Sequence, residues 1–129
     1  MTPAGHRDKA ERITQSLQKC RPSDHEAVIE GAMLAGSHWF NLGLHRLGVL
    51  PPDRDVMHAE FLTKAERLKI GLVAEDMVEA LEEIEGSRAL FVRGTAPGGE
   101  DAARRALECL RRIREAALAA RPIRGGTPP

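Results

Sequence analysis

Residues 23–47, SDHEAVIEGAMLAGSHWFNLGLHRL, carry the strongest helical pattern in the chain, its single Trp and three of its five histidines. On a helical wheel Val28, Ala32, Ala35, Trp39 and Leu42 form one row, and Ile29, Met33, Gly36, Phe40 and Leu47 form the row beside it. Two adjacent apolar rows require burial against at least two neighbours, so this segment is predicted to be the central helix of a bundle. Ser23 with Glu26 three residues later has the form of a capping box, in which each side chain satisfies the other's free backbone N–H. Gly31, Ala32, Ala35, Gly36 and Gly43 would let another helix approach closely, although each Gly costs about 1 kcal/mol of helix propensity relative to Ala. Glu30, His38, Asn41, His45 and Arg46 interrupt the segment well within the roughly 20 apolar residues that a membrane span requires.

The remaining elements follow from periodicity and stop signals. A first helix is predicted over residues 6–20, with Ala10, Ile13, Leu17 and Cys20 on one side. Gly48 ends the central helix, Pro51-Pro52 stiffens the turn and Asp53 is placed to cap a third helix over 54–70, whose core stripe would be Met57, Phe61, Ala65, Leu68 and Leu72. A fourth helix over 74–92 is acidic in its first half, and the turn-rich RGTAPGG of residues 93–99 separates it from a basic fifth helix over 100–120. The apolar face of that last helix would be Ala103, Leu107, Leu110, Ile113 or Arg114, and Ala117. No strand pattern or internal repeat occurs. The expected fold is all-α, an antiparallel four- to five-helix up-down bundle, with the acidic and basic helices side by side. Residues 1–121 would form a single domain and 122–129 a flexible tail.

A chain of 129 residues is long enough to bury a core without disulfides or metal. That core should be aliphatic, since Trp39, Phe40, Phe61 and Phe91 are the only aromatic residues apart from histidine and there is no Tyr. A formal net charge of zero provides no global field to recruit nucleic acid or an anionic membrane. The N-terminal MTPAGHRDKAER has no apolar run of a secretion signal, which makes the cytoplasm the expected compartment. Cys20 and Cys109 fit neither a disulfide framework nor a metal motif and are expected to be reduced.

Three constellations bear on function. Counting outward from the turn near Pro51 brings His45 level with His58, and Asp55 lies one helical turn before His58; His45, Asp55 and His58 are therefore a candidate metal set, with His38 further along the same face. The Glu-x-x-His spacing typical of bundle metal sites is absent, and histidines at the margin of an apolar face commonly pack a ring there. The arginines of the last helix, Arg104 and Arg111 among them, could contact phosphates, but Glu108 and Glu115 interleave them and no aromatic residue is present to stack a base. No nucleophile elbow or phosphate-binding loop occurs. No catalytic residues and no cofactor are legible.

Three stretches also carry a family resemblance: EGAMLAGSHWFNLGLHRLGV (30–49), ALEEIEGSRALFVRG (80–94) and DAARRALECLRRIREA (101–116). In their order they resemble the HEPN family, the higher-eukaryote and prokaryote nucleotide-binding domains. HEPN ribonucleases place an Arg, followed a few residues later by a His, late in the bundle. The corresponding stretch here is Arg88-Ala-Leu-Phe-Val-Arg93, and no His follows. The resemblance thus implies a non-catalytic member that dimerises and works beside a partner protein, with Arg88 and Arg93 as residual anion contacts. The expected function is an interaction or regulatory module, homodimeric and without membrane attachment; the alternative is nucleotide or RNA binding through Arg88, Arg93, Arg104 and Arg111.

Overall fold

The computed structural model describes residues 1–123. Among them every regular element is helical: α1 (Pro3–Leu17), α2 (His25–Leu47), a 3-10 turn (Ala59–Phe61), α3 (Lys64–Gly71), α4 (Glu75–Ser87), a π-helical turn (Arg88–Arg93) and α5 (Gly99–Ala119). No described helix is long and apolar enough to cross a membrane.

The central position of α2 follows from its two apolar rows. It packs against α1, α4 and α5, and Val28, Ile29, Ala32, Trp39, Phe40, Leu42 and Leu44 are fully or almost fully buried. Its glycines face other helices of the same chain. A Cβ at Gly31 would run into Leu17 Cδ2 of α1, and one at Gly43 would lie 2.9 Å from Met77 Sδ of α4, with the Ala117 backbone of α5 close behind. Gly48, in the left-handed region at φ 77°, ends α2 as its place in the sequence predicts. The predicted capping box at Ser23 does not form. Asp24 is the cap residue, and its carboxylate turns away from the helix to accept the Arg21 backbone N–H at 3.0 Å.

At the N-terminus the helix begins earlier than the apolar stripe suggested. Thr2 caps α1, its hydroxyl accepting from Gly5 N–H at 3.0 Å, and Pro3 occupies the first turn, where a missing N–H costs nothing. His6 thereby joins the row of Ala10 and Leu17 that faces α2.

The largest departure from expectation lies between α2 and α4. A helix over 54–70 is not formed, because Asn41 of α2 occupies both backbone hydrogen-bonding groups of Val56: its Nδ2 donates to the carbonyl at 2.8 Å and its Oδ1 accepts the N–H at 2.7 Å. Ser37 Oγ donates to the next carbonyl, that of Met57, at 3.2 Å. A residue whose N–H and C=O are both so engaged cannot join a helical ladder. Helix resumes only at Thr63, where Thr63 and Glu66 form a reciprocal capping box. The resulting α3 is short and buries Ile70. Met57, Phe61, Leu68 and Leu72, expected in the core, are exposed instead.

Helix α4 buries Met77, Val78, Ala80, Leu81 and Ile84, and its last turn widens into the π-helical segment. Helix α5 buries Ala103, Ala106, Cys109, Leu110, Ile113 and Ala117, close to the predicted face. The acidic and basic helices pair as their charges require: Asp76 with Arg112, and Glu83 with Arg105 at 2.7 Å. Of the predicted tail, Ile123 N–H donates to the Leu47 carbonyl at 3.1 Å, and residues 124–129 lie outside the described residues.

Candidate functional site

The clamp on Val56 determines where its neighbour points. With the 54–57 backbone fixed along α2 by Asn41 and Ser37, the Asp55 carboxylate reaches the end of the structure where the start of α1 meets the second half of α2. Asp55 Oδ1 lies 2.8 Å from His6 Nε2 and 2.9 Å from His45 Nε2. Asp55 Oδ2 lies 2.9 Å from the Met1 amino group. His38, two turns before His45 on α2, sets its Nδ1 3.0 Å from Nδ1 of His6. Three histidines and one aspartate from three separate segments thus form one connected cluster.

Burial and tautomer constrain its chemistry. The His6 and His45 side chains are each 2% exposed and that of Asp55 25%, so solvent meets the cluster on the carboxylate side. The Leu50 carbonyl lies 3.3 Å from His45 Nδ1 and can only accept, which assigns a proton to that nitrogen. A proton on Nε2 as well makes His45 an imidazolium paired with Asp55; without it, a lone pair faces the carboxylate. The His6 and His45 rings stack at 5.6 Å between centroids. Burial alone would raise the Asp55 pKa, but hydrogen bonds from His6, the terminal ammonium and His45 outweigh it and hold the carboxyl well below its ordinary value. Burial, followed by the neighbouring charges of His6 and Lys9, lowers the pKa of His38 and favours its neutral ring.

Of the residues singled out in the sequence, His45 and Asp55 meet and His58 does not join them. His58 Nδ1 turns to Glu85 Oε1 at 3.2 Å on the α4 side, because residues 54–58 are not helical and Asp55 and His58 do not share a helix face. His6 takes its place. Its signal was available: the row of Ala10 and Leu17, extended back one turn, reaches His6, and Thr2-Pro3 marks a helix start early enough to include it.

The four arginines are not gathered. Arg88 Nε donates to Glu30 at 2.6 Å, Arg104 bonds Glu100 and Asp101 on its own helix, and Arg111 bonds Glu108 and Glu115. Arg93 is exposed at the end of the π-helical turn and has no ion pair among the described residues. Arg114, another member of the basic helix, lies over the Trp39 ring, 5.4 Å from its centroid. Much of the basic character of α5 is therefore used in pairing and packing.

No known protein family, curated protein or solved structure matches the chain.

Proposed function

We propose that this chain is a small cytoplasmic helical module that acts by binding rather than by catalysis, and that residues 57–73 dock against a second copy. The observation that carries this reading is a run of exposed large apolar side chains within one short segment. Phe61, Leu68 and Leu72 are 61%, 69% and 77% exposed, and Met57 and Val73 flank them. Large apolar side chains concentrated in one short segment mark an interaction surface more often than chance exposure. A second copy suits this surface because exposed groups of both signs border it, Glu60 and Glu75 with Lys64 and Lys69, and the neutral chain does not repel its like. Both cysteines are free thiols, in keeping with a reducing compartment.

Within this reading the long helices run up and down as one bundle, and the chain is a HEPN-like domain that lacks the catalytic histidine. The pairings of Leu17 with Gly31, Met77 with Gly43 and Asp76 with Arg112 support the helix order. The small residues of α2 do not contribute to the dimer, since Gly31 and Gly43 are covered within the chain.

Light scattering at micromolar concentration tests the docking. Twice the chain mass is expected for the natural sequence and the chain mass for a Leu68→Asp, Leu72→Asp double variant, whose altered side chains lie outside the core. A monomer for both would overturn the reading.

Nucleic-acid binding is the second reading, and its support is Arg93, an exposed cation with no carboxylate partner among the described residues. Phosphate contacts release counterions, so affinity for a short RNA should fall steeply with salt and weaken in Arg93→Gln. Binding indifferent to salt would exclude it.

A further inference from the structure

We propose that His6, His45 and Asp55 form a binding site for one divalent transition-metal ion of zinc-like preference, with His38 as a positioning residue that orients the His6 ring. This site is separate from the apolar face of residues 57–73 and stands independently of dimerisation.

One potential ligand atom from each of the three residues lies within 4.8 Å of the others. Two imidazole nitrogens and a carboxylate oxygen suit zinc, cobalt, nickel or ferrous iron; magnesium and calcium prefer all-oxygen sets, and no thiolate is present to select copper(I). Three protein ligands, with solvent on the Asp55 side only, leave a further position for water or an added ligand. Metal–donor bonds of about 2.0–2.2 Å in tetrahedral geometry need the donors roughly half an ångström further apart than the present hydrogen bonds. With the backbone on both sides of the site held, by the helices at His6 and His45 and by Asn41 at Val56, the adjustment falls to side-chain torsions, and the Asp55 carboxylate, the most exposed of the three groups, has the most room for it.

Charge points to the same occupant. Both Nε2 atoms converge on the same oxygen of Asp55, with their rings stacked at 5.6 Å. Satisfying that geometry with protons makes His45 an imidazolium, since the Leu50 carbonyl and Asp55 each accept one of its N–H groups, and sets it against a His6 ring whose Nε2 also carries a proton toward the same oxygen. A single dication between Nε2, Nε2 and Oδ1 takes the place of those protons and leaves both rings neutral. For His45 the required tautomer is already imposed, because the Leu50 carbonyl holds the proton on Nδ1 and leaves Nε2 as the donor atom. For His6 the same arrangement places the proton on Nδ1, donated to Nδ1 of a neutral His38. Any proton displaced from Nε2 passes to solvent.

The experiment is calorimetric titration of the full chain, without a polyhistidine tag and stripped with chelator, using Zn2+ and then Co2+, whose visible absorption reports the ligand geometry. One equivalent is expected to bind, with a tetrahedral or five-coordinate Co2+ spectrum. His45→Gln and Asp55→Asn should abolish that equivalent, and His38→Phe should weaken it by roughly 10- to 100-fold while the Co2+ band shifts. The His25→Gln, His58→Gln double variant retains only His6, His38 and His45 and leaves the cluster intact, so it should bind as the natural chain does. Absence of stoichiometric binding by the natural chain, or its loss in that double variant, would overturn the proposal. So would its persistence in His45→Gln or Asp55→Asn that remain helical by circular dichroism.

Discussion

Asn41 holds Val56 by both of its backbone hydrogen-bonding groups, with the side-chain amide donating to the carbonyl at 2.8 Å and accepting the N–H at 2.7 Å. One buried side chain thereby replaces two backbone bonds that a helix would have made, and in doing so determines the conformation around Asp55. Asn41→Leu would leave both backbone groups of Val56 buried without a partner, at about 1–3 kcal/mol for each. Urea unfolding should show a loss of roughly 2–6 kcal/mol, larger than a surface substitution would give. A variant as stable as the natural chain would mean that water or an alternative helix satisfies the segment.

His38 makes stability depend on pH in a defined direction. Its pKa in the folded chain lies below the ordinary 6.5, because burial and the nearby charges of His6 and Lys9 oppose protonation. The unfolded chain then binds more protons than the folded one, and stability falls as pH drops below about 6.5. For Asp55 the folded pKa is depressed below 3.8, so the stability it contributes is present above that value and is lost only in stronger acid. Urea midpoints at pH 7 and pH 5 should therefore differ, and the difference should shrink in His38→Gln. An unchanged difference would assign the sensitivity to other groups.

The two thiols should react at very different rates. Cys109 is buried and its Sγ donates to Glu83 Oε2 at 2.9 Å; burial, then that hydrogen bond and the carboxylate charge, push its pKa up to about 12. Cys20 is partly exposed at the end of α1. With a thiol-exchange reagent at pH 8, one fast equivalent from Cys20 is expected, and a second only after unfolding. Fast reaction at both would show that the contact between α4 and α5 opens readily.

Long elements with a regular apolar period could be read directly. Helix α2 ends at Gly48 as its composition requires, and the buried face of α5 keeps Ala103, Leu110, Ile113 and Ala117 of the predicted stripe, adds Ala102, Ala106 and Cys109, and leaves Leu107 only partly covered. The segment from Arg54 to Ile70 could not be read that way. Met57, Phe61, Ala65, Leu68 and Leu72 have a convincing helical spacing, but the decisive bond is made by an Asn on a different helix, outside any local window. The Thr63–Glu66 capping box was a local signal strong enough to start the helix late. The candidate site was half legible for the same reason: His45 and Asp55 are near in sequence, whereas His6 reaches them through the packing of α1 on α2.

Nitrogen-15 spectra of the five imidazoles, recorded with and without one equivalent of Zn2+, would observe the cluster ring by ring. A His45 ring protonated at Nδ1 is expected, with Zn2+-induced shifts confined to His6, His45 and the neighbouring His38. Five rings that behave as independent, solvent-exposed imidazoles, or Zn2+ shifts at His25 and His58 instead, would contradict it.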